Sequence, residues 1–179
     1  TVSWYRVPIE RDVLRSLTKK SNFRGFLQAG GHLALLAATA VAAFLSVGRL
    51  PVVITVLLIF LHGTFYAFLL NGFHELSHRT VFKTRFLNEF FLRIYSFLSW
   101  FNFVFFRESH KQHHLYTLHP PDDLEVVLPI KFTLKDFLLR AFVNPMGLYE
   151  LPRNTIRHAL GHISGEWPEK LFPAENVKL

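Results

Sequence analysis

From the amino terminus, the chain alternates charged segments with apolar runs of very unequal length. Arg6, Arg11, Arg15, Lys19, Lys20 and Arg24 lie among scattered apolar positions; from Gly25 to Gly48 there is then no Asp, Glu, Lys or Arg. A second uncharged run extends from Leu50 to Phe73. At about 1.5 Å per residue, each run of roughly two dozen residues reaches across a hydrocarbon core of about 30 Å. Between them Gly48 suits a helix C-terminus and Pro51 the first turn of the next helix, which predicts a tight transmembrane hairpin. The alternative, two buried helices of a soluble core, calls for shorter apolar runs. The first run also begins too late and continues too long for a secretory signal.

Beyond Phe73 the apolar runs shorten. Ile94–Phe106 falls short of a span and predicts an interfacial or re-entrant helix, with Tyr95 and Trp100 at the headgroup boundary. Phe137–Val143 predicts a further segment lying on the membrane, stopped by Asn144-Pro145 because proline disfavours helix in the residue before it. From Leu151 to Leu179 the chain is polar and interrupted by Pro152, Pro168 and Pro173, and no internal repeat is visible.

The expected fold is therefore all-α and integral to the membrane: a transmembrane helical hairpin with interfacial helices and a cytoplasmic histidine-rich cap. Its divisions are an amino-terminal arm over 1–24, the hairpin over 25–73, a histidine region over 74–125 and an interfacial and cytoplasmic segment over 126–179. Arg79, Lys83 and Arg85 follow the second span while Arg49 stands alone in the hairpin turn, so both flanks are expected on the cytoplasmic side. The formal charge of +7 is accounted for by this asymmetry, and nucleic acid is not an expected partner. The chain contains no Cys, which excludes disulfides, thiolate metal sites and cysteine nucleophiles together. Any metal must then be held by His, Asp or Glu.

The histidines supply the chemistry. His74 and His78 close the second span, and His110, His113 and His114 follow the short aromatic segment. Spacings of i, i+4 and i, i+3, i+4 put each set on one helix face, roughly 6 Å apart for a one-turn pair. The bland reading, interfacial histidines solvated by headgroups and water, suits any one of them better than all five, since polar groups beside a membrane are costly. His74-Glu75-Leu76-Ser77-His78 also matches His-Glu-x-x-His, the zinc-protease pattern, although one zinc with an open position would leave the second set unused. Two metals employ both sets, and imidazole suits iron as well as zinc. Asn71 shares the stripe of His74. Glu75 and Asp122 are candidates to hydrogen-bond the outer nitrogens of ligating imidazoles. His62 lies too deep for the site and is expected to bond a neighbouring helix, while His158 and His162 are expected on an exposed helix face. Trp100, Phe101, Phe103 and Phe106 read as lipid anchors or as the lining of an acyl channel.

The residues from the hairpin to about Glu125 resemble the membrane fatty acid desaturase and hydroxylase superfamily. His74–His78 is similar to its first histidine box, His110-Lys111-Gln112-His113-His114 to the second, and Tyr116–Glu125 to the Thr- and Asp-containing stretch that trails it. The resemblance implies two non-haem iron ions with O2 as co-substrate, held by His74, His78, His110, His113 and His114, with no catalytic residue separate from the ligands. It implies a membrane lipid or acyl substrate and an external electron donor, a ferredoxin or small cytochrome. Removal of two hydrogens would give a double bond; oxygen insertion would give an alcohol. The third box, His-x-x-His-His, is missing from these residues, and five imidazoles fall short of the ligands that two irons require. The expectation is a fragment of a chain that continues past Leu179 to further spans and that box.

Overall fold

The Ser21 hydroxyl accepts a hydrogen bond from the Arg24 amide and starts the first long helix, which passes from α2 (Asn22–Gly25) through a π-helical turn (Phe26–Gly30) into α3 (Gly31–Ser46). It follows the short α1 (Arg11–Leu17). A computed structural model describes residues 7–119, 122, 123, 125, 133–137, 145–162 and 166–171, among which every regular element is helical. The chain divides into two compact units, one within Tyr5–Ser99 and the other within Trp100–Leu179.

In the first unit, α2, the π turn and α3 form a 25-residue helix, and α4 (Val52–Ala67) with α5 (Leu69–Ser77) a 26-residue one. Both are long and apolar enough to cross a membrane, and only 17% and 6% of their most apolar windows are buried. A soluble core would cover such helices. Here Phe44, Val52 and Phe60 are exposed, a surface that water tolerates only in small patches and that hydrocarbon would cover. The turn between α3 and α4 matches the pattern that predicts it: Gly48 takes φ +69°, and the Leu50 amide donates to the Ser46 carbonyl. Pro51 stands one position earlier than expected, as the N-cap of α4.

Polar atoms in apolar helices must be satisfied within the protein. Thr39 Oγ1 and His62 Nδ1 are 3.1 Å apart, so His62 ties α3 to α4, as its depth predicted. His32 does the same one layer away. Its Nε2 donates to the Phe65 carbonyl at 2.9 Å, and its Nδ1 lies 2.9 Å from the hydroxyl of Tyr95. That hydroxyl also bonds the Ala29 carbonyl at 3.0 Å. Ala29 belongs to the π turn, so the Tyr95 hydroxyl meets the first long helix where its hydrogen-bond pattern is irregular. Tyr95 is thus a buried connector of three helices, not a headgroup residue.

Tyr95 lies on α6 (Arg85–Ser99), whose buried face is Asn88, Phe91, Leu92, Tyr95 and Ser99. This face packs against Leu69, Phe73 and Leu76 of α5. Gly72 permits the approach, because a Cβ there would overlap the Tyr95 ring. The connection between the helices is pinned by Phe82, which is fully buried and stacked on Phe91. The Asn88 side chain accepts from the Phe82 amide and donates to its carbonyl.

The run Ile94–Phe106, expected as one interfacial or re-entrant helix, is divided between two helices. After Ser99 ends α6, Trp100 takes φ +59°, and the Asn102 side chain accepts from the amides of Val104 and Phe105 to begin α7 (Phe103–Tyr116). A side chain satisfying two orphan amides is a strong helix start, and it overrides the continuity of the apolar run. The second unit also contains α8 (Leu134–Phe137), α9 (Pro145–Ala159) and α10 (Glu166–Leu171). Pro152 and Pro168 lie inside α9 and α10 and do not interrupt them as expected. Residues 138–144, most of the predicted membrane-lying segment, and Pro173 fall outside the described residues.

Gly72→Ala is expected to destabilise the first unit by about 1–3 kcal/mol, the usual cost of overpacking. Gly63→Ala, where nothing lies within 4 Å of the added carbon, should be neutral or slightly stabilising. Thermal melts in detergent check the pair; equal melting of Gly72→Ala and the parent would show that Tyr95 gives way.

Candidate metal centre

The first histidine pair rests on the continuation of the second long helix past its apolar run. α5 extends to Ser77 with His78 as its C-cap, so His74 and His78 are one turn apart on the same face. Their Nε2 atoms are 3.4 Å apart and their ring centroids 4.7 Å. The opposite face carries the buried Leu69, Phe73 and Leu76, which sets the rotation of the helix and turns the imidazoles away from that packing. Glu75 Oε1 accepts from His74 Nδ1 at 3.1 Å, and Thr80 Oγ1 donates to Glu75 Oε2 at 3.3 Å. Glu75 therefore meets one nitrogen of the His74 imidazole. Asn71, one turn before His74, is exposed and lines a cavity of about 670 Å³ together with Gly72, Glu75 and Tyr95.

The second set lies along α7. His110 is buried, and its ring centroid is 4.5 Å from that of His114 and 5.4 Å from that of His113. His110 Nδ1 is 2.8 Å from Glu125 Oε2, and the other Glu125 oxygen accepts from the Ser109 hydroxyl at 2.6 Å. His113 Nδ1 lies 3.0 Å from each oxygen of Asp123. Asp123 is only 3% exposed and also accepts from the amides of Leu118 and Glu125 at 2.7 and 3.0 Å. Burial opposes its ionisation. The bonds from His113 and the two amides, with the charge of His113, outweigh that cost and hold the carboxyl below its ordinary range. A carboxylate on Nδ1–H fixes the tautomer whose Nε2 carries the lone pair and could ligate a metal.

Asp122, the expected partner of an imidazole, is not one. It is exposed and pairs with Lys170 at 3.6 Å. The chain turns after α7 through Leu118, which takes φ +63°, and the amides of Leu118 and Glu125 close on the next carboxylate instead. Asp123 and Glu125 are thus the acids that meet imidazoles of α7, and spacing alone misses them. The cluster of three acids just after the second box was the available signal, but it does not say which of them turns inward.

The remaining histidines divide by environment. His119 bonds the Thr117 carbonyl, and His62 and His32 serve the hairpin. His158 departs from its expected exposed face. It is half-buried, stacked on Phe105 with centroids 5.8 Å apart, and lines a cavity of about 580 Å³ with His162. Burial, and then the neighbouring Arg157 charge, hold its pKa below the ordinary value.

Apolar helices of membrane-crossing length are followed by imidazole sets that carboxylates meet, a donor arrangement able to hold a metal ion. The profile described as Fatty acid desaturase matches residues 49–176, and the chain belongs to that family. No curated protein and no solved structure matches the chain.

A histidine whose folded pKa is lowered keeps its stability contribution above the unfolded value near 6.5 and loses it as pH falls through the lower folded value, since the unfolded chain protonates first. Packing of α9 should therefore loosen on acidification below about pH 6.5, and His158→Phe should remove that response. Hydrogen exchange of α9 amides at about one unit above and below that pH measures it. An unchanged response in the variant would assign the titration to another group.

Proposed function

We propose that the protein is a membrane-bound non-haem di-iron oxidoreductase that desaturates a lipid acyl chain, with His74, His78, His110, His113 and His114 as metal ligands. The observation that carries this reading is the pairing of imidazoles with carboxylates in both boxes: His74 with Glu75, His110 with Glu125 and His113 with Asp123. Three such pairs fit a metal-holding role, because they make Nε2 the basic atom and stop the ring from turning. A neutral imidazole set is a suitable donor set for iron. Bound iron, with O2 and electrons from a ferredoxin or small cytochrome, would supply the oxidising power needed at an unactivated C–H bond.

The chain's own residues do the positioning. Glu75, Glu125 and Asp123 orient the rings, Ser109 and Thr80 orient two of those carboxylates, and the buried faces of α5 and α6 set the angle at which the first box emerges. Glu75 weighs against the zinc-protease reading, since it is engaged with the outer nitrogen of His74 and a protease of that pattern needs it as general base. That reading also gives no work to the carboxylates behind His110 and His113. Insertion of oxygen to give an alcohol would use the same ligands, and product chemistry separates the two.

Iron content and product together test the proposal on the purified full-length protein. About two irons per chain are expected, as is a product lighter by two hydrogens, identified by mass spectrometry of lipids from expressing cells. His113→Ala should abolish activity as fully as His74→Ala. Asp123→Asn should weaken metal binding by about 10- to 100-fold, while Asp122→Asn should leave it unchanged. One tightly bound zinc with peptide cleavage that survives His113→Ala would overturn the assignment.

The same reading places the amino-terminal arm and both boxes on the cytoplasmic side, because the cations crowd those flanks and leave Arg49 alone in the hairpin turn. Single cysteines introduced into this Cys-free chain should react with an impermeant reagent from the cytoplasmic side before Arg24 and around His78 and Lys111. A cysteine at Arg49 should react only from the other side. Opposite-side labelling around His78 and Lys111 would defeat a shared centre.

A further inference from the structure

A helix of 7 residues with nothing packed on it has little to hold it together. α1 has no buried residue, its N-cap Glu10 makes no side-chain capping bond, and every residue from 7 to 20 is exposed. Helices this short are marginal in water, and the ion pair of Arg15 with Asp12, 3.5 Å long and exposed at both ends, contributes little. The order of the side chains points to what would stabilise it. Val13, Leu14 and Leu17 share one face and are 47%, 47% and 75% exposed, while Arg11, Asp12, Arg15 and Ser16 take the other. Thr18 ends the helix and Ser21 is extended before α2 begins, so α1 does not prolong the long helix. The base of this arm is fixed: Lys20 Nζ donates to the Arg79 carbonyl at 2.8 Å, and Asn22 donates to the Thr84 hydroxyl at 2.8 Å and accepts from its amide at 2.9 Å. Around those contacts the chain exposes Arg24, Lys83 and Arg85 together with Phe23 and Phe86, the mixture of cations and apolar rings that suits a headgroup layer.

We propose that α1 docks on an anionic lipid surface, with Val13, Leu14 and Leu17 toward the acyl boundary and Arg11, Arg15 and Lys19 among the phosphates. The inside preference of cations accounts for the charges of this arm, but not for three apolar side chains left bare on the opposite face. Hydrocarbon edged with anionic phosphate satisfies both faces at once. The acids do not oppose this, since Glu10 and Asp12 lie at the start of the helix, where its dipole favours negative charge, and Arg15 and Lys19 lie nearer the span. From Thr18 to Asn22 the chain covers at most about 14 Å, so the bilayer that receives the long helix is within reach of Leu17. A lipid surface is therefore a better fit than an acidic protein, which would have to compete with it for the same face. The proposal goes beyond the enzymatic reading and requires only that the two long helices sit in a bilayer.

Docking can be read without iron or turnover. Single cysteines replace Leu14 or Ser16 in the purified full-length protein, carry an environment-sensitive nitrobenzoxadiazole label, and are reconstituted in vesicles of phosphatidylcholine alone or mixed with phosphatidylglycerol. In the mixed vesicles the Leu14→Cys label should emit at shorter wavelength than in the neutral ones, and the Ser16→Cys label should keep its aqueous emission in both. Salt at about 1 M, where the screening length falls to about 3 Å, should reverse most of the shift with no cation replaced. Arg11→Gln, Arg15→Gln and Lys19→Gln together should lower the ratio of docked to free arm by roughly 100-fold, at about fivefold per cation. Flotation of that triple variant with neutral vesicles, expected to match the parent, separates loss of docking from loss of the inserted hairpin. Short-wavelength emission from Leu14→Cys in neutral and mixed vesicles alike would overturn the role of anionic lipid. Aqueous emission in both would overturn docking altogether and leave the face to an acidic protein. None of these outcomes bears on metal content or product, so failure here and failure of the proposed function are distinguishable.

Discussion

A helix that offers hydrocarbon only apolar side chains still has to dispose of every irregularity in its own backbone. The π turn at Phe26–Gly30 is such an irregularity, and there the Tyr95 hydroxyl donates to the Ala29 carbonyl and meets His32, which in turn holds Phe65. An unsatisfied carbonyl in lipid costs several kcal/mol, whereas a satisfied bond contributes about 1 kcal/mol net. The node therefore acts mainly by exclusion: arrangements of α3, α4 and α6 that break it are much worse than the one that keeps it. Burial also pushes the Tyr95 hydroxyl up to about 12, so it keeps its proton as a donor under all ordinary conditions. From this node the placement of the first box follows. Tyr95 fixes α6, its ring sits where Gly72 has no side chain, and the resulting rotation of α5 decides which way His74 and His78 point.

The second box depends on a different constraint. α7 begins where Asn102 caps it and winds through an aromatic first turn, so its rotation is set locally. The imidazoles are then held from outside the helix. Asp123 accepts from two backbone amides as well as from His113, which makes it a structural closure of the turn and a ring-orienting acid at once. Removing its charge would loosen both functions together, whereas Glu75 serves its own box with little else depending on it.

The features legible in the sequence were those written in one dimension. Charge-free length predicts two long helices, Gly48 and Pro51 mark the turn between them, and i, i+3 and i, i+4 spacings put the histidines on shared faces. Each of these is a local rule that tertiary contacts did not overrule. The misses involve choices that spacing leaves open. Asp122 and Asp123 differ by one residue, and only the left-handed backbone at Leu118 decides which carboxylate turns inward. Asn102 breaks an apolar run through two side-chain bonds that a hydropathy profile does not register. Tyr95 looks like an interfacial ring because the carbonyl it satisfies lies 66 positions earlier in the chain. His158 looks exposed because the aromatic ring that covers it belongs to another helix.

The two boxes also obtain their carboxylates over very different distances along the chain. His74 is backed by the adjacent Glu75, so that contact needs no residue beyond the local helical turn. His113 and His110 wait for acids 10 and 15 residues downstream. On a ribosome that difference becomes an order of events. The carboxylate of the first pair is in place while the rest of the polypeptide is still being made, and those of the second set are not, because they have yet to emerge. Maturation then has a built-in sequence, with the carboxylate contact of His74 available early and those of His110 and His113 conditional on closure of the turn that follows α7.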